Sequence, residues 1–268
     1  MLSRLPAVAG TFYPSDPSEL RRAVDGYLVA GQARTAIGVV APHAGYVYSG
    51  PTAGIVFASV EVPEVVIVMG PNHTGYGPPL SIHPGGTWKT PAGEIRVDEA
   101  LSAKLRTLDP ELVADTLAHE EEHSIEVEVP FLLRRNPRTT LVAIVIGTQD
   151  LPVLERLGAA IARFVRENAP GALVVASSDM NHYENDATTR SKDRKAVEKL
   201  VKMDERGLDE VCRRDRISMC GRAPAVAMLV AAKALGAKHA ELADYRTSAD
   251  AGGDRARCVG YAGVLVTA

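Results

Sequence analysis

Four short runs of valine, isoleucine and their like constrain this chain more than any other feature. They lie at 37–41 (IGVVA), 65–69 (VVIVM), 141–146 (LVAIVI) and 173–176 (LVVA). None alternates apolar with polar residues, so neither face of such a strand tolerates water, and buried strands of an α/β sheet read this way. Two more strands are expected at 240–246 and 258–267. Helical patterns fall between them, at 17–28, 98–108, 151–168, 188–202 and 223–235. In the third, Leu154, Leu157, Ile161, Phe164 and Val165 form one apolar face at helical spacing. The alternation predicts an α/β layered fold, with a central, mostly buried sheet flanked by helices. No repeat, low-complexity tract or linker interrupts it, so residues 1–268 are expected to form a single domain. The segment 70–93 is rich in glycine and proline and has no period. It is expected to be a long functional loop.

Composition removes several classes of function. The 268 residues carry a formal net charge of −3, without the basic excess that nucleic-acid binding favours. No apolar run approaches the ~18–20 residues that span a bilayer. The apolar patch at the start is broken by Pro6, Gly10 and Pro14, unlike a signal peptide. Three cysteines, Cys212, Cys220 and Cys258, form no C-x-x-C pair, so free thiols in a reducing compartment are expected. The expectation is a cytoplasmic protein that binds neither membrane nor nucleic acid.

The chemistry concentrates in the histidines. His43 follows the first strand in VVAPHAGYVYSG, His73 the second in VIVMGPNHTGYG, and His182 a third in LVVASSDMNHY. Ligands of open α/β sheets bind outside the carboxyl ends of the strands, so three strands deliver an imidazole to one edge. Asp179, three residues before His182, could hold that imidazole's tautomer or simply form a turn. Cys220 stands at the start of the 223–235 helical pattern. A thiol there is either an activated ligand or nucleophile, or a buried apolar side chain. Residues 119–123 (HEEEH) match the H-E-x-x-H of zinc proteases, which puts two ligands on one helix face with Glu120 as base. The acidic positions 121 and 122 and the alternating, β-branched stretch that follows weaken such a helix. Phosphate-loop, dinucleotide and nucleophile-elbow motifs are absent.

Eight segments together resemble one family. They are PAVAGTFYP at 6–14, APHAGYVYSG at 41–50, GPNHTG at 70–75, WKTPAGE at 88–94, EHSIEVEVPF at 122–131, SSDMNHY at 177–183, CGRAP at 220–224 and VGYAG at 259–263. In this order they resemble the Memo family (mediator of cell motility), whose prokaryotic members are the B component of the AmmeMemoRadiSam group. The resemblance implies a fold similar to class III extradiol dioxygenases, non-haem iron enzymes that open catechol rings with O₂. It implies His43 and His73 as metal ligands, Cys220 in place of the dioxygenase carboxylate, His182 as base and His123 as a further histidine lining the site. Asp179, counted with these last two among the catalytic candidates, could partly replace the carboxylate. It also implies a functional link to a radical-SAM protein.

The leading expectation is a metal-binding redox or oxygenase protein acting on a hydroxylated small molecule or peptide ligand, with Fe(II) first among metals. The thiolate opens the site to Cu or Zn. A non-catalytic peptide- or protein-binding module on the same scaffold is the alternative, since fold does not decide function. A zinc protease is the third reading.

Overall fold

The computed structural model describes residues 2–29 and 31–268. The strands are β1 (Ser3–Arg4), β2 (Gly38–Ala41), β3 (Val65–Pro71), β4 (Leu80–Ile82), β5 (Gly86–Thr90), β6 (Gly93–Val97), β7 (Val113–Ala114), β8 (Thr140–Ile146), β9 (Leu173–Ser177), β10 (His182–Glu184), β11 (His239–Thr247) and β12 (Cys258–Thr267). They join in one mixed sheet ordered β1-β5-β6-β8-β3-β9-β2-β12-β10, with β11 on β12 and β4 bridging β7 and β8. The four valine-rich runs are the neighbouring parallel strands β8, β3, β9 and β2 at its centre. Each buries alternate residues on opposite faces. Val40, Ile67, Met69, Val142, Ile144 and Val174 enter one core, and Val39, Val66, Val68, Ala143, Val145 and Val175 enter the other. Burying a valine or isoleucine completely contributes about 1.5–3 kcal/mol, which is why these runs occupy the middle.

Helices cover both faces. Leu151–Asn168 and Arg222–Ala234 lie on the first core, and Pro17–Tyr27, Tyr46–Ala58 and Val129–Arg135 on the second. The result is a mixed α/β fold with a large sheet flanked by helices, as the alternation of patterns predicts. No helix among the described residues is long and apolar enough to cross a membrane.

Two expectations need correction. Residues 70–93 are not one loop, because β4 and β5 lie inside them and pair with β8 and β6. Glycine and proline hide these short strands. β4 takes its register from β8, more than 60 residues away, while β5 forms a local hairpin with β6. The helix Tyr46–Ala58 has no counterpart among the expected ones. Its Gly45, Gly50, Pro51 and Gly54 read as turn signals, yet small size is what the packing needs. A Cβ on Gly54 would lie 2.2 Å from the Tyr27 carbonyl oxygen of the neighbouring helix.

Candidate metal centre

The parallel registers explain why the histidines meet. Ala41 of β2 pairs with Ser177 of β9, and Met69 of β3 pairs with Ala176 of β9. Three adjacent strands therefore end at one level. His43 and His73 stand just beyond the first and third of them, and Asp179 just beyond the middle one. A fourth segment, between the short helix Leu117–Glu120 and the turn Glu126–Glu128, brings His123 over the same edge. One ligand atom each from His43, His73 and His123 lie within 4.8 Å of one another. The rings of His73 and His123 stack at 4.5 Å, and His43 meets both edge-on at 5.2 and 5.4 Å.

Two of the imidazoles are held from behind by hydrogen bonds. His43 Nδ1 lies 2.8 Å from Ser177 Oγ, and His73 Nδ1 lies 2.9 Å from Glu122 Oε1. His123 Nδ1 is 3.5 Å from the same Glu122 oxygen. With Nδ1 of His43 and His73 occupied, Nε2 is the atom each leaves free to bind a metal, the arrangement in which a carboxylate or hydroxyl fixes the tautomer of a ligating histidine. Glu122 also accepts from the Ser124 and His73 backbone amides. The three imidazoles line a cavity of about 620 Å³ with Phe12, Asp179, His182, Tyr183, Ser218, Cys220 and Val259 among its walls.

The arrangement of residues carries a family likeness. The model described as Memo-like protein matches residues 4–265. The chain belongs to the Memo family. It is 39% identical to a MEMO1 family protein of Methanopyrus kandleri, over 98% of this chain and 99% of that one. It is 39% identical to one of Pyrobaculum aerophilum, over 99% of each chain, and 40% identical to one of Methanosarcina acetivorans, over 99% and 100%.

In this Memo chain the residues expected to form the site take distinct places. His43 and His73 converge, and the third member of the converging group is His123, a residue expected among the catalytic groups lining the site and not among the ligands. Cys220 lies beside them, with Sγ 3.3 Å from His43 Nε2, and accepts from the Asp179 amide at 3.2 Å. The helix begins at Arg222, with Gly221 capping it, so Cys220 stands just ahead of the helix start, and of its two readings the buried one prevails. Burial, with the Asp179 charge adding to it, holds its thiol far above the ordinary range. Asp179 does not orient His182. It accepts from the backbone amides of His43 and Ala44 at 2.9 and 3.3 Å and so fixes the turn that presents His43. His182 donates from Nδ1 to the Ser218 carbonyl at 2.9 Å, which leaves its Nε2 as a proton acceptor on the cavity wall.

The H-E-x-x-H geometry is overturned. The helix stops at Glu120, and the two histidines enter different clusters. His119 is buried against His83 and Trp88, with Nε2 on Ser81 Oγ at 3.0 Å. Glu122, read in the sequence only as an acidic position that weakens a helix, is the acid that hydrogen-bonds both the backbone amide and the ring of His73. The alternation in EHSIEVEVPF gives no signal of this, because Glu122, Glu126 and Glu128 fall on the polar phase between the apolar Ile125, Val127 and Val129, yet all three are buried.

The charges follow from these contacts. Burial lowers the pKa of His43 well below 6.5, and His73 and His123 lower it further. Burial likewise carries His123 down to about 4, against the opposing pull of Glu122. Burial disfavours the His73 imidazolium too, but its hydrogen bond and charge interaction with Glu122 outweigh burial, so its pKa lies above 6.5. Burial raises Glu122, and the His73 hydrogen bond and charge outweigh that, leaving it at about 2. A metal on His73 must therefore displace its Nε2 proton. Metal uptake is expected to weaken as pH falls through a midpoint above 6.5 and to release one proton below that midpoint. If Cys220 also ligates, its thiol must lose a second proton. Calorimetry in buffers of different ionisation enthalpy counts both, and uptake independent of pH between about 5 and 8 would contradict the assignment.

Proposed function

We propose that this Memo family protein binds a redox-active transition metal, Fe(II) first and Cu or Zn as alternatives. The ligands are His43 and His73 with His123, Cys220 or both. The centre would serve redox or oxygenase chemistry on a hydroxylated substrate. The observation that carries this reading is the convergence of three imidazole ligand atoms within 4.8 Å on the wall of a cavity. The donor set suits such a metal. Two imidazoles are kept neutral by burial, a third is backed by a carboxylate, and imidazole accepts Fe, Cu and Zn alike. The Cys220 thiol adds a soft donor that favours Cu and Zn once deprotonated.

Bound metal would stabilise the oxyanion of the substrate as a Lewis acid and supply one-electron chemistry. The chain's own groups do the rest. His182 Nε2 would accept the hydroxyl proton, at an atom left free by the Ser218 carbonyl. Phe12, Tyr183 and Val259 offer apolar wall to the body of the substrate. Asp179 keeps His43 in place through two backbone amides. All three cysteines are free thiols, in keeping with a reducing cytoplasm.

The test is metal analysis after anaerobic Fe(II) loading, followed by oxygen consumption with a panel of hydroxylated aromatic compounds. Wild type is expected to retain metal and a His43→Ala/His73→Ala variant to lose it. Equal retention by both would end this reading.

A further inference from the structure

Ser177 is the most heavily engaged hydroxyl behind the metal centre. Its Oγ lies 2.6 Å from the Ser124 carbonyl oxygen, 2.8 Å from His43 Nδ1 and 2.8 Å from Glu128 Oε1. A hydroxyl has one hydrogen to give and two lone pairs to receive with. The Ser124 carbonyl can only accept, so the Ser177 hydrogen goes there. The other two neighbours must then donate to Ser177 Oγ. His43 can do so from Nδ1–H, and Glu128 only as a carboxylic acid.

We propose that Glu128 is a neutral carboxylic acid whose O–H, acting through Ser177, fixes His43 as the Nδ1–H tautomer with Nε2 turned toward the metal. Glu128 is thus a positioning residue for the centre described above, and its effect on metal affinity rests on that reading. An ionised Glu128 would claim the hydrogen of Ser177. Two oxygens would then face each other at 2.6 Å with none between them. It would also be a buried anion whose second oxygen has no hydrogen-bond partner. Among the described residues no cation pairs with it. Tyr46 spends its hydroxyl on the Val127 carbonyl, and Asp179 is acidic. Burial raises the Glu128 pKa well above the carboxylate range, against the Ser177 hydrogen bond and with the Asp179 charge adding to it. At the far side of His43, Cys220 Sγ lies 3.3 Å from Nε2, where an S–H can donate to the lone pair this tautomer exposes.

Infrared difference spectra of the metal-free protein test the protonation state directly. At about pH 9 the other two buried acids with raised pKa values, Asp179 at about 6 and Asp193 at about 7, are ionised. Wild type is expected to keep the carbonyl stretch of a protonated carboxylic acid there, and Glu128→Gln to lose it. Glutamine still offers an N–H to Ser177 Oγ, so Fe(II) affinity is expected within about threefold of wild type, whereas Glu128→Met offers no donor and should lose about 10- to 100-fold. Absence of the band in wild type overturns the proposal. So does a Glu128→Gln variant whose Fe(II) affinity falls tenfold or more, a result that needs no folded Glu128→Met protein. A wild type that shows the band but retains no Fe(II) ends the metal reading and the positioning role with it, while the neutral acid stands.

Discussion

Arg4→Ala is expected to destabilise the fold by about 3–5 kcal/mol, the cost of leaving one partner of a buried ion pair without the other. The Arg4 guanidinium meets Glu126 at 2.7 Å with both side chains almost entirely buried. It also donates to the His119 and Glu122 carbonyls and lies 4.4 Å from the centre of the Trp88 ring. Glu126 in turn accepts from the Ala7 and Val8 amides and the Tyr13 hydroxyl. The pair therefore clamps the amino-terminal segment to the stretch that carries Glu122 and His123. Without Arg4, Glu126 keeps its burial but loses the opposite charge. Urea unfolding measures the effect, and a loss below about 1 kcal/mol would place this pair with exposed ones that contribute little. Loosening the clamp should weaken metal retention as well.

Glu122→Gln is expected to lower metal affinity about 10- to 100-fold, the usual result of losing a carboxylate that backs a ligating histidine. The comparison belongs on the alkaline plateau of the uptake curve, where protons no longer compete in either protein. A second readout has a fixed sign. In wild type the Glu122 interactions raise the His73 pKa above 6.5 against the effect of burial. With the charge removed, burial acts unopposed by that partner and the pKa should drop. NMR titration of His73 in the metal-free protein follows it. Unchanged plateau affinity together with an unmoved His73 titration would remove Glu122 from the centre.

These two residues show where a linear reading stops. The central strands are legible because burial on both faces writes itself into a local run such as VVIVM at 65–69. His43 and His73 are legible for the same reason, since each closes a strand whose end points to one edge of the sheet. The helix 46–58 is not, because its glycines answer to Tyr27 on another helix rather than to a turn. H-E-x-x-H misleads because spacing alone does not make residues 119–123 a continuous helix, and Arg4 holds the carbonyls of both His119 and Glu122. His123 and Glu122 lie inside that misleading motif, which hides their real partners.

The sequence by itself determined the layered α/β class, the Memo resemblance and the set of residues from which a metal centre could be drawn. Only the tertiary structure decided which imidazoles converge, which nitrogen each presents and which acids carry charge. Those properties depend on desolvation and on hydrogen-bond partners far away in the chain. Ser177 is 134 residues from the His43 ring it holds, and Glu122 is 49 from His73. A one-dimensional pattern records what each residue is. The protonation state of His43, His73 or Glu128 is a property of the space that other segments close around it.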